Sequence, residues 1–204
     1  MHTKAKIFNL ALGALLLQRR ISDTETDPSN ECKVLLTHYD VAFRATLEDL
    51  DLDGTSTQKI LELVEEDPTD LWGYAYKYPS DCAFFRRLQS GVTVDSRSTH
   101  IKKRIAIHED QKVIFTNQVD AVAEYISYNV PLAALSATAG LAVAYRLAML
   151  SAPLITGKGA AKLMETIQKN YILAKTEAQD QDRRENFSFV DEDIESEFVE
   201  ARRS

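Results

Sequence analysis

The chain has 204 residues, of which 45% are hydrophobic and 27% are charged, and its formal net charge is -7. A chain of this size and apolar content can bury its own core, so we expect one domain, or one domain with a small insert. The negative charge argues against a DNA-binding protein that relies on phosphate contacts, since these need clustered lysines and arginines. Cys32 and Cys82 lie far apart without a Cys-x-x-Cys motif, which indicates neither a disulfide framework nor a zinc site.

Residues 4–20 contain an apolar run from Ile7 to Leu17, with two lysines before it and Arg19 and Arg20 after it. The run lacks a small-residue cleavage site and arginines follow it directly, so we interpret it as a short amphipathic helix rather than a signal peptide. Asp27 and Pro28 then predict the start of a second helix, with Asp27 as its cap. One apolar stripe identifies that helix: Cys32, Leu36, Tyr39, Phe43, Leu47 and Leu50.

The segment Asp49–Gly54 ends this helix and imitates the start of an EF-hand loop, with acids at the first, third and fifth positions and glycine at the sixth. The twelfth position, which should be a bidentate glutamate, is Ile60. We therefore interpret the segment as a helix terminus and a turn, and expect no metal there.

The stretch Leu71–Cys82 holds the only tryptophan and three of the eight tyrosines. Gly73 and Pro79 bracket the run and disfavour a helix. Read as a strand with a period of two, the run places four rings on one face: Trp72, Tyr74, Tyr76 and Tyr78. Residues 58–66 fit a helix or a strand, and their position favours a strand that pairs with the aromatic one.

A β-hairpin is predicted where Ile105, Ile107, Val113 and Phe115 alternate with polar residues around a turn. The short basic cluster Lys102–Arg104 just before it is interpreted as a solvated strand end rather than a phosphate site. Residues 119–128 fit either a final strand or the start of the next helix.

Two long helices are predicted in the last third of the chain. The first runs from Pro131 to Ser151 and ends at Pro153; small residues on all its faces and Arg146 within it indicate a central helix rather than a membrane span. The second has a buried stripe from Leu163 to Ala178. The short connection between them makes the two helices antiparallel neighbours.

The last residues form an acidic tail with few apolar side chains, which predicts a segment that is disordered when free. Ile194, Phe198 and Ala201 share a helical face, a pattern typical of a segment that folds into the groove of a partner. The pattern leaves both a tail without function and a docking tail open.

An enzyme is not expected. The sequence contains no recognisable Ser-His-Asp set, nucleophile elbow, metal-ligand spacing or paired carboxylates in a glycine-marked cleft. The histidines are dispersed in mostly polar surroundings. We therefore assign no catalytic, cofactor-binding or metal-binding residue.

The aromatic stretch resembles the W-x-Y-x-Y-x-x-P-x-D-C pattern of bacteriophage head-to-tail adaptors of the tail tubular protein A type. The residues that carry the resemblance are Trp72, Tyr74, Tyr76, Pro79, Asp81 and Cys82. Weaker likenesses are found at residues 42–47, 125–126, 141–148, 174–178 and 198–202. The chain departs from the family in having Glu48-Asp49-Leu50, where a tryptophan and a phenylalanine often stand, and in a heavier acidic stretch at 191–200.

The resemblance implies an α+β protomer that is mainly a helical bundle of about four helices, with a small inserted antiparallel β-sheet and an extended C-terminal tail. We expect the bundle in residues 1–56 and 129–186, the inserted sheet in 57–128 and the tail in 187–204. The residues expected to dock on the portal are Phe187, Phe189, Ile194, Phe198, Arg202 and Arg203.

The same resemblance implies a structural virion protein, made in the host cytoplasm and located between capsid and tail. About twelve copies would form a ring that binds the portal protein and a downstream tail protein, while DNA passes through the lumen without specific binding. No cofactor and no membrane are implied. Two alternatives remain: a cytosolic helical protein-interaction module, and a head-completion or tail-terminator protein of a long-tailed phage.

Overall fold

The computed structural model describes residues 2–89 and 101–186, which fall into two compact units. The helical unit lies within Met1–Thr55 and Val130–Ser204, and the sheet unit within Ser56–Asn129. The helices of the first unit are α1 (Lys4–Ala14), α2 (Asn30–Leu50), α3 (Ala137–Thr156) and α4 (Ala160–Asn186). The strands of the second unit are β1 (Ser56–Ile60), β2 (Leu63–Thr69), β3 (Trp72–Lys77), β4 (Cys82–Gln89), β5 (Lys103–His108), β6 (Gln111–Thr116) and β7 (Val122–Ser127).

The prediction of a mainly helical bundle with one small inserted sheet is wrong. The described residues form four α-helices and seven strands in two antiparallel sheets, with 50% of them in helix and 26% in strand. Strand β4 was not foreseen because its register shifts twice, between Cys82 and Phe84 and between Phe85 and Arg87. Such bulges break the alternation of apolar and polar residues from which a strand is recognised.

The two sheets contain only antiparallel neighbours. One has the order β1-β7-β4 and the other the order β2-β3-β6-β5. The predicted hairpin is present as β5 and β6, joined at Glu109 and Asp110 with φ of 46° and 62°. Two left-handed residues match the right-handed twist of the strands that they connect. Residues 58–66 belong to two strands, of which β2 pairs with β3 and β1 pairs with β7.

The sheet unit has a core built from both sheets. Its buried members are Leu61, Tyr76, Cys82, Leu88, Ile114, Ala121, Ala123 and Tyr125. A second cluster of Ala75, Val113 and Phe115 includes the neighbour of Tyr76 in β3, and so belongs to the opposite face of the four-stranded sheet. Trp72 packs against this second cluster, whereas Tyr74 and Tyr78 pack against the first. The prediction that all four rings share one face is therefore wrong for Trp72, at the first position of the strand.

Helix α2 begins two residues later than predicted. Its cap is Ser29, whose hydroxyl accepts a hydrogen bond from the Cys32 amide at 3.2 Å. Asp27 instead accepts the Ser29 amide at 2.9 Å and so fixes the turn that precedes the helix. Serine and aspartate both cap helices well, and the sequence alone did not separate them.

Helix α3 is the central helix of its unit, in contact with α1, α2 and α4. It begins at Ala137 with Ser136 as its cap, later than the predicted start at Pro131. It also continues through Pro153 to Thr156, so the prediction that this proline ends it is wrong. Among the described helices it alone is long and apolar enough to cross a membrane by length and composition, and half of its most apolar window is buried.

Candidate functional site

The segment Trp72–Cys82 is the strand β3, a tight turn and the first residue of β4. The turn is closed by the Cys82 amide, which donates to the carbonyl of the buried Pro79 at 3.2 Å. Proline has a fixed φ and suits such a turn. The motif residues from Trp72 to Cys82 therefore lie on one strand, in the turn after it and at the start of the next strand, all within the sheet unit.

Asp81 joins this turn to strand β7. One carboxylate oxygen accepts the Tyr125 hydroxyl at 3.0 Å and the other accepts the Ser127 hydroxyl at 2.7 Å. The carbonyl of Asp81 accepts the Tyr128 amide at 2.7 Å. Burial by itself would raise the pKa of the Asp81 carboxyl, but the hydrogen bonds from Ser127 and Tyr125 together lower it. Burial, followed by the hydrogen bond to Asp81, raises the pKa of Tyr125 to about 12.

Cys82 is a packed thiol rather than a nucleophile. It is 7% exposed, is not in a disulfide, and lies 3.1 Å from the hydroxyl of Tyr78, which donates to its sulfur. Burial raises the pKa of the Cys82 thiol, and the opposing hydrogen bond from Tyr78 is the smaller effect. Because the thiolate is the reactive form, a raised pKa suppresses nucleophilic chemistry at neutral pH.

A surface cavity of about 510 Å³ lies next to this thiol. The Lys112 amine stands 3.7 Å above the Tyr78 ring, a cation-π contact that fixes one wall. The lining residues are Lys77, Tyr78, Pro79, Ser80, Cys82, Gln111 and Lys112.

Strand β3 is hydrogen-bonded to the connection that follows its neighbour β6. The hydroxyl of Tyr76, which is 3% exposed, donates to the carbonyl of Gln118 at 3.0 Å. The Gly73 amide donates to the side chain of Asn117 at 2.7 Å. These bonds tie β3 to the connection between β6 and β7.

Glu124 is a buried carboxylate that sequence reasoning missed. It is 6% exposed and accepts from Arg87 at 2.9 Å and from Gln89 at 2.5 Å, while an Arg86 nitrogen lies 3.9 Å away. A buried charge is tolerated when it is paired and hydrogen-bonded in this way. No local signal identifies the cluster, because its members come from β4 and β7.

The basic cluster Lys102–Arg104 divides into one engaged and two exposed side chains. The Lys103 amine donates to the carbonyl of Arg86 at 2.9 Å and lies 4.6 Å from the centre of the Phe85 ring. Burial lowers the pKa of Lys103. Lys102 and Arg104 are exposed, and their side chains have no partner within residues 2–89 and 101–186.

In the helical unit, the carboxylate of Asp49 accepts hydrogen bonds from other side chains of the chain. One of its oxygens accepts from Arg146 at 2.9 Å and from the Tyr171 hydroxyl at 2.7 Å. Asp182 accepts the amides of Asp53 and Gly54 at 2.7 and 2.9 Å. The described part of the chain contains no group of three or more His, Cys, Asp or Glu side chains that could hold a metal ion.

The six residues predicted to dock on the portal, Phe187, Phe189, Ile194, Phe198, Arg202 and Arg203, lie outside the described residues. All six motif residues, from Trp72 to Cys82, lie inside them. Neither a comparison with protein-family models nor one with curated proteins finds a match for this chain.

Proposed function

We propose that this chain is a structural head-to-tail adaptor of a bacteriophage. Copies of it form a ring between the portal and the next tail component, and the ring continues the DNA channel. The observation that carries the proposal is the motif Trp72–Cys82, whose spacing of aromatic, proline, aspartate and cysteine residues resembles the adaptor pattern. The proposal extends to virion location and to about twelve copies in the ring.

The geometry of the motif supports a structural role. The side chains of Asp81 and Tyr76 form hydrogen bonds of 3.0 Å or less to neighbouring strands and loops. Cys82 is buried with a raised pKa. A motif in which Tyr76 and Asp81 hydrogen-bond within the fold suits a subunit that must keep its shape under load, because satisfied buried polar networks rigidify a core.

The charge of the chain supports passage of DNA rather than capture. Of the net charge of -7, residues 187–204 carry six acids and two arginines, or -4, and the rest of the chain carries -3. A channel wall of negative sign repels DNA and keeps it from adhering during ejection. The negative side chains of the ring would line this lumen.

The tail supplies the contact with the portal in this proposal. Its apolar residues, led by Phe187, Phe189 and Phe198, order in grooves of the portal, and Arg202 and Arg203 add charge at the end. Folding on binding adds contact area beyond that of a rigid ring face, at the expense of ordering entropy.

Electron microscopy of the purified protein, alone and mixed with the portal protein of the same phage, tests the proposal. We expect rings, or new density at the narrow end of the portal that is present only in the mixture. A monodisperse monomer that does not bind the portal would refute the connector function and leave the alternative of a protein-interaction module.

A further inference from the structure

A surface cleft of about 690 Å³ runs along one face of α1. Its second wall is formed by residues 17–22, where the chain turns back after the helix. Asn9 holds this wall in place, because its side-chain nitrogen donates to the carbonyl of Ile21 at 2.8 Å and its side-chain oxygen accepts the Ile21 amide at 2.7 Å. The α1 residues that line the cleft recur every three or four positions and so share one face of the helix: Thr3, Lys6, Leu10 and Gly13.

The lining of the cleft is basic and partly apolar. Lys6, Arg19 and Arg20 contribute to it, whereas none of its described residues is acidic. Leu10 and Leu17 are half-buried in the same lining. The cleft therefore fits a ligand that combines negative charge with apolar side chains.

Two of the three cations are available for such a ligand. The side chains of Lys6 and Arg20 are exposed, and they form neither an ion pair nor a hydrogen bond with any residue in 2–89 or 101–186. The third cation, Arg19, lies 3.3 Å from Asp27. A ligand in the cleft can thus bind Lys6 and Arg20 without breaking an existing ion pair.

The acids that follow this wall along the chain lie outside the lining of the cleft. Asp23 accepts the Glu25 amide at 3.0 Å and the Thr26 hydroxyl at 2.8 Å, and Asp27 pairs with Arg19. A ligand inside the cleft therefore meets the cations directly.

The C-terminal end of α4 lies where α1 and the cleft begin. The Gln181 side chain accepts the Thr138 hydroxyl at 3.5 Å, and His2 Nε2 donates to the carbonyl of Ser136 at 3.1 Å. Both contacts are made with the first residues of α3 and its cap, so the last turns of α4 and the start of α1 meet at the same end of that helix. The chain leaves α4 on this side of the helical unit.

Residues 187–204 follow α4 and lie outside the described residues, but their sequence has the composition that the cleft fits. They carry six acids and two arginines, together with the apolar residues Phe187, Phe189, Ile194 and Phe198. A segment of this length spans about 60 Å when extended and about 27 Å as a helix. Both lengths exceed the roughly 16 Å of α1, so the segment can follow the whole cleft.

We propose that residues 187–204 occupy the cleft of their own chain in the free protein. Their acids face Lys6 and Arg20, and their apolar side chains lie against Leu10 and Leu17. The occupant is the chain's own tail because it starts at the correct end of the helical unit, has the opposite charge and is tethered. A short tether gives an effective concentration of about 1 mM, which a tail from a second copy does not have.

The contact has a consequence for assembly, and this consequence rests on the proposed function. The residues that the cleft covers are those proposed to dock on the portal, so the portal binds only the fraction of chains in which the tail is released. The apparent affinity for the portal is reduced by that fraction. The contact with the cleft can be tested without the portal.

Zero-length carbodiimide cross-linking of the full chain locates the contact. The reagent joins an amine to a carboxylate that touches it, and we expect amides between Lys6 and the acids of residues 191–200. In an equal mixture of ¹⁴N and ¹⁵N chains, both halves of each cross-linked pair should carry the same isotope. Absence of these cross-links would overturn the proposal, as would pairs of which half are of mixed isotope, because the tail would then belong to a second copy.

Two variants empty the cleft by different means. Lys6→Glu combined with Arg20→Glu reverses its charge. Gly13→Leu fills it, since a side chain at Gly13 would meet nothing within 4 Å and leucine favours a helix more than glycine does. Cleavage by chymotrypsin after the tail phenylalanines, followed by mass spectrometry of the whole chain, measures the released fraction. We expect each variant to be cleaved about threefold faster than the wild type.

Matched controls carry equivalent changes outside the cleft. Lys162→Glu combined with Arg104→Glu changes the net charge by the same amount, and Gly159→Leu adds a side chain where nothing lies within 4 Å. Both should be cleaved at the wild-type rate. Faster cleavage of the controls, or wild-type rates in both cleft variants, would overturn the proposal. A threefold effect corresponds to about 0.7 kcal/mol, too little for removal of the tail to change the thermal unfolding of the protomer noticeably.

Binding to the portal separates this inference from the proposed function. Both cleft variants should bind the portal about threefold more tightly than the wild type, because more of their tails are released. A chain that binds the portal but shows neither the cross-links nor the faster cleavage would refute the cleft contact and leave the connector function standing. Cross-links and faster cleavage in a chain that does not bind the portal would do the reverse.

Discussion

The hydroxyl of Tyr125 donates to the carboxylate of Asp81 across 3.0 Å, although 44 residues separate them in the chain. Tyr125 is 1% exposed, so its hydroxyl depends on Asp81 for a partner. Ser127 depends on the same carboxylate. Asp81 is therefore the hydrogen-bond acceptor for two hydroxyl groups of β7.

Replacing Asp81 by alanine leaves both hydroxyls without that acceptor, and we expect the free energy of unfolding to fall by about 3 kcal/mol. Equilibrium urea denaturation measures this loss. Tyr125→Phe removes the same bond without stranding a donor, so its loss should stay near 1 kcal/mol. Equal losses in the two variants would contradict this account of the bond.

Acid should weaken the sheet unit through the same group. The pKa of Asp81 is lowered by folding, so its stabilisation is complete above the unfolded pKa of about 3.9 and is lost as pH falls through the lower folded value. Asp81→Asn has no such titration. We expect the stability difference between the wild type and Asp81→Asn to shrink below about pH 4. A constant difference down to acid unfolding would refute the assignment.

The Tyr125 hydroxyl predicts a loss of stability at alkaline pH. Its pKa is raised to about 12 in the fold, so the stabilisation is complete below the unfolded value of about 10 and is lost as pH rises through about 12. The wild type should therefore lose stability between these values more steeply than Tyr125→Phe. Parallel curves for the two proteins in alkaline urea titrations would count against the prediction.

Gly140 lies against the ring of His2, and a Cβ at this position would overlap the ring atoms. The Nε2 of His2 donates to the carbonyl of Ser136 at 3.1 Å, so Gly140→Ala should displace the ring and break this bond. In an otherwise wild-type chain the helix propensity gained by alanine offsets the loss, and stability changes little. In a His2→Ala background, the same substitution should stabilise the protein by about 1 kcal/mol. Thermal unfolding of the four variants measures the cycle, and equal effects in both backgrounds would exclude the contact.

Removing residues 187–204 should abolish binding to the portal and leave the thermal unfolding of the protomer unchanged. The reason is that the proposed docking residues all lie in this tail. A pull-down with the portal protein, together with a melting curve, measures both properties. Portal binding retained by the truncated chain would refute a docking role for the tail.

The negative charge predicts a simple result with DNA. The free protein should show no retention of duplex DNA at physiological salt, because few phosphate contacts are available to a chain with a charge of -7. An electrophoretic mobility shift measures binding, with a basic DNA-binding protein as positive control. Tight binding would contradict a lumen that repels DNA.

Features that depend on local pattern were predictable from the sequence. The second helix follows from the apolar stripe, of which Cys32, Tyr39, Leu47 and Leu50 are buried, although Leu36 of the same stripe is exposed and Leu35 is buried instead. The hairpin of β5 and β6 follows from alternation around Glu109 and Asp110. These elements express their hydrophobic period directly. The same reasoning placed strand β3 in the aromatic stretch.

Features that depend on tertiary context were not predictable. Pro153 costs α3 one backbone hydrogen bond, yet the helix continues to Thr156. The partners of Asp81 lie more than forty residues away in the chain. The bulges of β4 interrupt the alternation of apolar and polar residues by which a strand is recognised. The partners of Asp81 and the strand β7 that pairs with β4 both lie in parts of the chain that no short window contains.

The position of Trp72 gives the molecule a built-in optical label. It is the only tryptophan of the chain and packs against Ala75, Val113 and Phe115 in the sheet unit. Its emission therefore follows the sheet unit, whereas the far-ultraviolet dichroism of a protein is dominated by its helices, here those of the other unit. Recording both signals during one denaturation separates the melting of the two units without any added dye.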